Sequence, residues 1–563
     1  MIAVLSAEAE LPAAAGVWGR ENRVLPAAER EALSWLTLAR LLGWEVEVGY
    51  DPREPGFAAG ARCIVVARDP GAFAADEVAA LASIAEGGAL LVTGAAPPGS
   101  PLAELAGVAA AGERRLEGAL RWIGPGDERE WEAWPEVSVA TLRSHEGSDP
   151  SRTEGATWAL VGDAPLAVAQ PVGRGFVATL AAHPAELADA APSGSGLLKR
   201  LLTWGVPGPL AWLDLDGFLV LRMDDPGSAS SAHLDGWAHR SLSEEEWRRL
   251  TRDLASREAR ITVGYVPGWL DDGDPGRGEL RVGGEPVDRV AGRVHPSNLV
   301  TYARSTGEAS QDNPAGWRGI EALRDAGAGE VELHGYTHVR PVYGGESRGG
   351  GPYSAWAASE DRYEGVHWYR ELEALAPPPA DERGPVAAGL ELFRERLGAR
   401  PAALCCPGHA CSPLAAASAA ELGLDLIAAE SLALRVGERL AWCDHVRNPY
   451  IDGAAGPWLE SGLPVVACLH DRDVVVDGSD WFGQRLDEWS ARGARRFGDL
   501  RELAAILQRS VSVSERDGSV QVAGGVRPLS RDLPLEVRDA GAEVSRRLLL
   551  APGEDGDAAA VAE

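Results

Sequence analysis

The chain reads as an α/β protein in three parts: an N-terminal parallel-sheet unit, a central (β/α) barrel, and a small β region after it. Three observations predict this. Apolar strand runs alternate with amphipathic helices from the first residues onward. After a Gly/Pro cluster the alternation resumes, now with strands that end in acids and histidines. From about residue 510 it gives way to short runs of alternating polarity. A length of 563 residues leaves room for two to four domains at about 100–200 residues each. With 45 % apolar and 25 % charged residues, a packed soluble fold is expected.

Residues 1–205 form the first unit. IAVLS, an amphipathic helix near Glu29 to Leu42, EVEVGY, CIVVA, a helix through Ala75 to Ala85 and ALLVTG follow one another, and GRGFVATLAAHP (Gly173 to Pro184) closes the series. Such alternation predicts a mostly parallel sheet with covering helices. The stretch from Cys63 to Gly94 resembles the glutamine-amidotransferase-like, flavodoxin-like domains found beside carbohydrate enzymes. Catalytic members of that fold set a cysteine on a sharp Gly-flanked elbow, where its thiolate can be activated. Cys63 instead lies inside an apolar run, as a small buried hydrophobe would. The unit is therefore expected to be a non-catalytic, structural or substrate-orienting accessory.

GVPGP at 205–209 stops a helix and suits a linker. Beyond it, over 210–505, strands are predicted at DGFLVLRMDDPG, RITVGYV, GEVELHG, AALCCPG, LDLIAAE and PVVACLH, with helical stretches between. This is the rhythm of a βα barrel, whose sites are built at the carboxyl ends of its strands. Residues 510–552 read as a small β appendage, with Asp517-Gly518 as a hairpin signal. Residues 553–563 read as a flexible tail.

Charge narrows the partners. Basic residues number 54 and acidic ones 84, and the net charge of −30 repels phosphate backbones and anionic headgroups, so no nucleic acid or membrane partner is expected. Six cysteines are too few for a disulfide scaffold, and CCPGHAC lacks the second distant pair of a structural zinc knuckle. The first residues lack a cationic segment before an apolar one, and no apolar run approaches the roughly 20 residues that span a bilayer. A cytoplasmic location is expected. The oligomeric state is not legible.

Three constellations carry chemistry. In LRMDDPG an apolar run delivers Asp224 and Asp225 to a strand end, and successive strand residues point in different directions, so one carboxylate can bind a metal while the other takes a proton. In ELHGYTH, His334 and His338 follow a strand four residues apart. If the chain turns helical there, both imidazoles share a face and reach one ion. In PVVACLHDRD a buried strand releases His470, suited to proton transfer near neutrality, followed by Asp471 and Asp473.

Over about residues 210–505 these motifs resemble the polysaccharide deacetylase superfamily (NodB-homology, carbohydrate esterase 4-like), in a divergent branch. The resemblance implies a distorted (β/α) barrel of that type and a divalent metal, zinc foremost. It implies Asp224 as catalytic base, Asp225, His334 and His338 as metal ligands, and His470 as general acid. Arg222, Pro407, His409, Asp471 and Asp473 stand where substrate-binding or orienting groups are expected. Two departures stand out: Gly335 takes the place of the family's Ser or Thr after the first histidine, and Cys405 the place of an arginine in the third motif. The expected substrate is a carbohydrate or another acylated small molecule. Two other readings compete: a silent metal- or carbohydrate-binding protein on the same barrel, and a glycoside hydrolase. The latter needs two carboxylates facing each other across a sugar ring, which adjacent aspartates do not provide. Trp269, Trp317, Trp368 and Trp481 fall in predicted loops, where a sugar face could stack or where they simply pack.

Overall fold

The computed structural model describes residues 1–6, 27–131, 137–144, 155–190, 192–233, 238–290, 293–307, 310–338, 384–398, 400–409, 411, 413–449, 451, 458–514, 519–551 and 559–560. Trp368 and the Asp517-Gly518 turn lie outside them.

The N-terminal sheet has nine strands. Val46–Gly49, Ile2–Ser6, Cys63–Ala67, Leu90–Gly94 and Gly175–Leu180 are parallel. Ala164–Val172, Ala156–Val161, Leu120–Trp122 and Arg129–Trp131 then extend it antiparallel. The expectation of a mostly parallel sheet is thus corrected for its second half. The cause is local: Val172 pairs with Gly175 across a two-residue turn at Gly173 (φ 59°), and a turn that tight can join only antiparallel strands. Cys63 is buried at the start of its strand, and burial pushes its thiol far up.

The central sheet also counts nine strands. Its order is Arg439–Arg447, Ser431–Val436, Leu426–Ala428, Ala403–Cys405, Gly329–Leu333, Ile261–Tyr265, Phe218–Asp224 and Val465–His470, with Arg496–Gly498 also pairing with Phe218–Asp224. All pairs are parallel except those of Ser431–Val436 with its two neighbours. No closed barrel forms among the described residues, which corrects the barrel expectation. A hairpin turning at Gly437 (φ 61°) replaces the last βα unit, and the two edges approach through backbone bonds from Ile451 N–H to the Cys468 carbonyl and from Cys468 N–H to the Pro449 carbonyl. Phe218–Asp224 is buried along its whole length. A parallel strand covered on both faces requires an apolar run, here Phe218 to Leu221 before Arg222, and each large apolar side chain buried contributes about 1.5–3 kcal/mol.

The helices have sequence-encoded ends. Glu244–Ala255 starts at Ser243 in a capping box with Glu246, Asn313–Asp325 at Asp312, and Leu500–Leu507 at Asp499.

The seam at 205–210 does not interrupt the core. One contiguous apolar cluster takes in Ile2, Trp35 and Trp158 together with Leu219, Val331, Val466 and Val537. At its centre His445 lies between the hydroxyls of Ser34 and Ser195, each at 3.0 Å. The region expected as an appendage over 510–552 is divided between two three-stranded sheets. Leu533–Arg538 pairs with Leu210–Leu213, just after the expected linker, and with Arg546–Leu550, while Ser510–Val513 pairs with Val520–Ala523. Ala559 and Ala560, inside the expected tail, pair with the latter. Strand edges left open are completed by whatever extended chain is near. No described helix is long and apolar enough to cross a membrane.

Candidate functional site

Register brings the first pieces together. Phe218–Asp224 and Val465–His470 run parallel with Arg222 opposite Cys468 and Asp224 opposite His470. Side chains two apart share a face, so these four groups converge at one end of the sheet. His334 follows the end of Gly329–Leu333, and the Pro407–His409 turn follows Ala403–Cys405.

Asp224 is 1 % exposed and belongs to a closed ion pair. Arg222 donates from Nε to Oδ1 at 2.7 Å and lies 2.5 Å from Oδ2 through Nη2; its other hydrogen bonds go to the carbonyls of Ala428 and Cys406. Burial would raise the Asp224 carboxyl, but the Arg222 charge and nearby imidazoles outweigh it and hold the group below the usual carboxylate range. Arg222, two residues upstream of Asp224, is thus the guanidinium that holds this carboxylate. Cys405, at the arginine position of the third motif, keeps only a buried thiol.

Gly264 has a matching part that the sequence reading missed. A Cβ there would stand 2.6 Å from Asp224 Oδ1, and a glycine inside a strand is the signal that would have revealed it.

Asp225 faces the other way. Its backbone turns to φ 80°, and Oδ1 lies 3.2 Å from Nε2 of both His334 and His338. The chain at HGYTH does not turn helical, contrary to the spacing argument. Gly335 (φ 64°) and His338 (φ 59°) bend it back, bringing the two rings to 5.0 Å between centroids. Non-glycine residues in the left-handed region are strained, and such strain gathers at functional sites. Gly335 makes the left-handed turn without the Cβ clash another residue would meet.

The donor set fits a cation. The ligand atoms of Asp225, His334 and His338 lie within 4.8 Å of one another, and all three residues are buried. His334 Nδ1 is 3.0 Å from the Cys405 carbonyl, which can only accept, so Nδ1 donates there and leaves Nε2 facing the Asp225 carboxylate at 3.2 Å. A carboxylate oxygen set between two imidazole nitrogens is a place that attracts positive charge. An Asp and two His also leave a coordination position open, as a catalytic zinc site requires. Asp224, His409 and Cys468 form a second group at similar spacing, but Arg222 covers both oxygens of Asp224 and opposes a cation there.

His470 closes the site. Its Nδ1 lies 3.6 Å from Asp473 Oδ2, and its backbone N–H donates to the same carboxylate at 2.8 Å. Burial pulls this imidazole down, but Asp473, Asp225 and Asp224 more than offset it and raise it from 6.5 to about 9. Of the two acids expected to align it, only Asp473 does so. Asp471 turns to His239, 3.0 Å away, because residues two apart at the start of a helix point to opposite sides of it. His239 itself carried no sequence signal.

Pro407 is buried at the start of its turn, and His409 is half-buried at the end of it. Burial, with Arg222 and neighbouring imidazoles, lowers His409 to about 3. Trp269 is fully buried, and Trp317 is 8 % exposed and packs against Tyr265 at 4.9 Å, so both are core residues rather than stacking platforms. Trp481 is partly buried beneath Arg485.

No protein-family model matches the chain, and no curated protein does. Among solved structures, the chain is similar to Agd3, a carbohydrate deacetylase, at 11 % identity and TM-score 0.40, covering 98 % of both chains. A provisional polysaccharide deacetylase from Mycobacterium smegmatis matches at 15 % identity and TM-score 0.29, over 53 % of this chain and 92 % of that one. A β-galactosidase from Rahnella sp. R3 matches at 10 % identity and TM-score 0.23, over 32 % of this chain, which spans 28 % of the enzyme's length.

Proposed function

We propose that the protein is a metal-dependent hydrolase that removes N- or O-acetyl groups from a carbohydrate or related substrate. Asp225, His334 and His338 would hold a divalent cation, zinc by the chemistry of the set. A cation so held supplies Lewis acidity toward an acyl carbonyl and a water near neutral pH.

The chain's own residues do the rest. Asp224, kept ionised by Arg222, accepts the proton of the attacking water. His470, kept protonated by Asp473, gives a proton to the leaving amine or alcohol. The two groups stand on neighbouring strands in direct register, so base and acid serve one substrate from one side of the sheet. Acetate and a free amine or hydroxyl result. A net charge of −30 leaves a neutral or cationic saccharide the better match than a polyanion.

The observation that carries this reading is the split between adjacent carboxylates: Asp224 paired with a guanidinium, Asp225 with two imidazoles. A silent metal binder needs only the second. The test is acetate release from acetylated oligosaccharides by the zinc-loaded chain, alongside metal analysis. One zinc per chain with acetate as product supports it. Zinc without acetate, or new reducing ends instead of acetate, overturns it.

A further inference from the structure

We infer that His409 acts as a neutral hydrogen-bond donor to the acyl oxygen in this reaction, with its proton held on Nε2 by Asn448. The assignment rests on the hydrolase reading, and starts from a hydrogen-bond chain whose polarity is forced.

Asn448 is 6 % exposed. Its side-chain nitrogen lies 2.6 Å from the Ala429 carbonyl and 3.3 Å from His409 Nδ1. A carbonyl only accepts, so the group facing it is the amide NH2, and the second amide hydrogen meets His409 Nδ1. That nitrogen must accept, and the proton of a neutral imidazole then sits on Nε2. The backbone reinforces the arrangement: Asn448 N–H donates to the Glu430 carbonyl at 3.0 Å, and Glu430 N–H to the His409 carbonyl at 3.2 Å.

The ring is also aimed. Gly408 and His409 both sit at φ 58°, a conformation a histidine adopts only when its surroundings impose it. The result is a ring nitrogen within 4.8 Å of the Asp224 carboxylate and the Cys468 thiol, at the strand ends where base and acid meet. Asp224 already accepts from Arg222 and, at 3.6 Å, from Cys468. A further N–H at this place serves the oxygen on which charge develops as water adds. A neutral imidazole suits that task, because it donates without surrendering its proton.

Asn448→Asp tests this with nearly unchanged shape. A carboxylate accepts from Nδ1–H, so the ring would reverse and turn a lone pair toward the acyl oxygen. With the zinc-loaded full chain and 4-nitrophenyl acetate as probe, kcat should fall about 100-fold, as for loss of one oxyanion donor. KM and zinc content should stay as in the parent. His409→Gln, which keeps an N–H donor, should retain more of kcat than His409→Ala. Nitrogen-15 shifts of the His409 ring give a readout that does not depend on turnover: Nε2–H in the parent, Nδ1–H in Asn448→Asp. An Nδ1–H tautomer in the parent, or full kcat in Asn448→Asp while the tautomer has reversed, overturns the assignment. Absence of zinc or of acetate release in the parent would instead count against the hydrolase reading.

Discussion

Among the described residues the molecule holds two nine-stranded sheets that share one large apolar cluster, and their strand ends differ completely. In the N-terminal sheet the parallel strands finish in Ser6, Gly49, Ala67, Gly94 and Leu180. In the central sheet, strands end at or just before Asp224, His334, Cys405 and His470. Parallel sheets create a cleft at the carboxyl edge whether or not anything is placed there. The comparison teaches that a candidate site follows from what the chain delivers to that edge: the described parallel strands of the N-terminal sheet end in small, apolar or hydroxyl residues.

The sharpest way to break this contrast is at the cation. His334→Ala leaves Asp225 and His338 with two ligands. Zinc content, read by elemental analysis, and acetate release should both vanish. Retained stoichiometric zinc would mean that the ion sits elsewhere.

Asp224→Asn should keep the zinc and lower kcat by about 10²–10⁴, the range for a lost general base. Equal loss of zinc in this variant would merge the two carboxylates into one role.

Arg222→Met attacks the support of the base. It strands a buried carboxylate, so urea unfolding should register about 3–5 kcal/mol of lost stability. Little change would mean that Asp224 is reached by water.

Gly264→Ala drives a methyl toward Asp224 Oδ1, and about 1–3 kcal/mol of overpacking with reduced kcat is expected. In the other sheet, Cys63→Ala should change stability by about 1 kcal/mol and leave turnover alone. A turnover defect there would give the N-terminal unit a catalytic part.

The smallest effect is a shift in pH. His470 is raised to about 9, so it holds its proton below that value, and acetate release should fall as pH rises through it. The stability it contributes has the same sense: complete below its ordinary 6.5, lost as pH passes 9. Asp473→Asn removes one raising contact, so the alkaline limb of kcat should move to lower pH. An unmoved limb would separate Asp473 from the acid.

Much of this was legible in the residues. The strand runs and the three motifs depend on local periodicity and on residue chemistry, which a sequence carries openly. Asp224, Asp225, His334, His338 and His470 could be named from it because unusual side chains at strand ends are visible without coordinates. The contacts of Gly264, His239 and Asn448 were not visible, since each meets a partner far away in the chain, and Arg222, expected as an orienting group, could not be assigned to Asp224 before packing set the distance. The barrel expectation failed for the same reason: whether a curled sheet closes depends on which edges pair, and the hairpin at Gly437 takes the place of a unit the rhythm implied.

The sequence by itself determined the α/β class and the donor types available, because alternation and side-chain chemistry are properties of short segments. Tertiary structure alone decided that Arg222 pairs with Asp224, that Asp473 rather than Asp471 faces His470, and that the HGYTH histidines meet through a strained bend. Those outcomes turn on sub-ångström to few-ångström placements, where hydrogen bonds and ion pairs form or fail, and no local pattern encodes such distances.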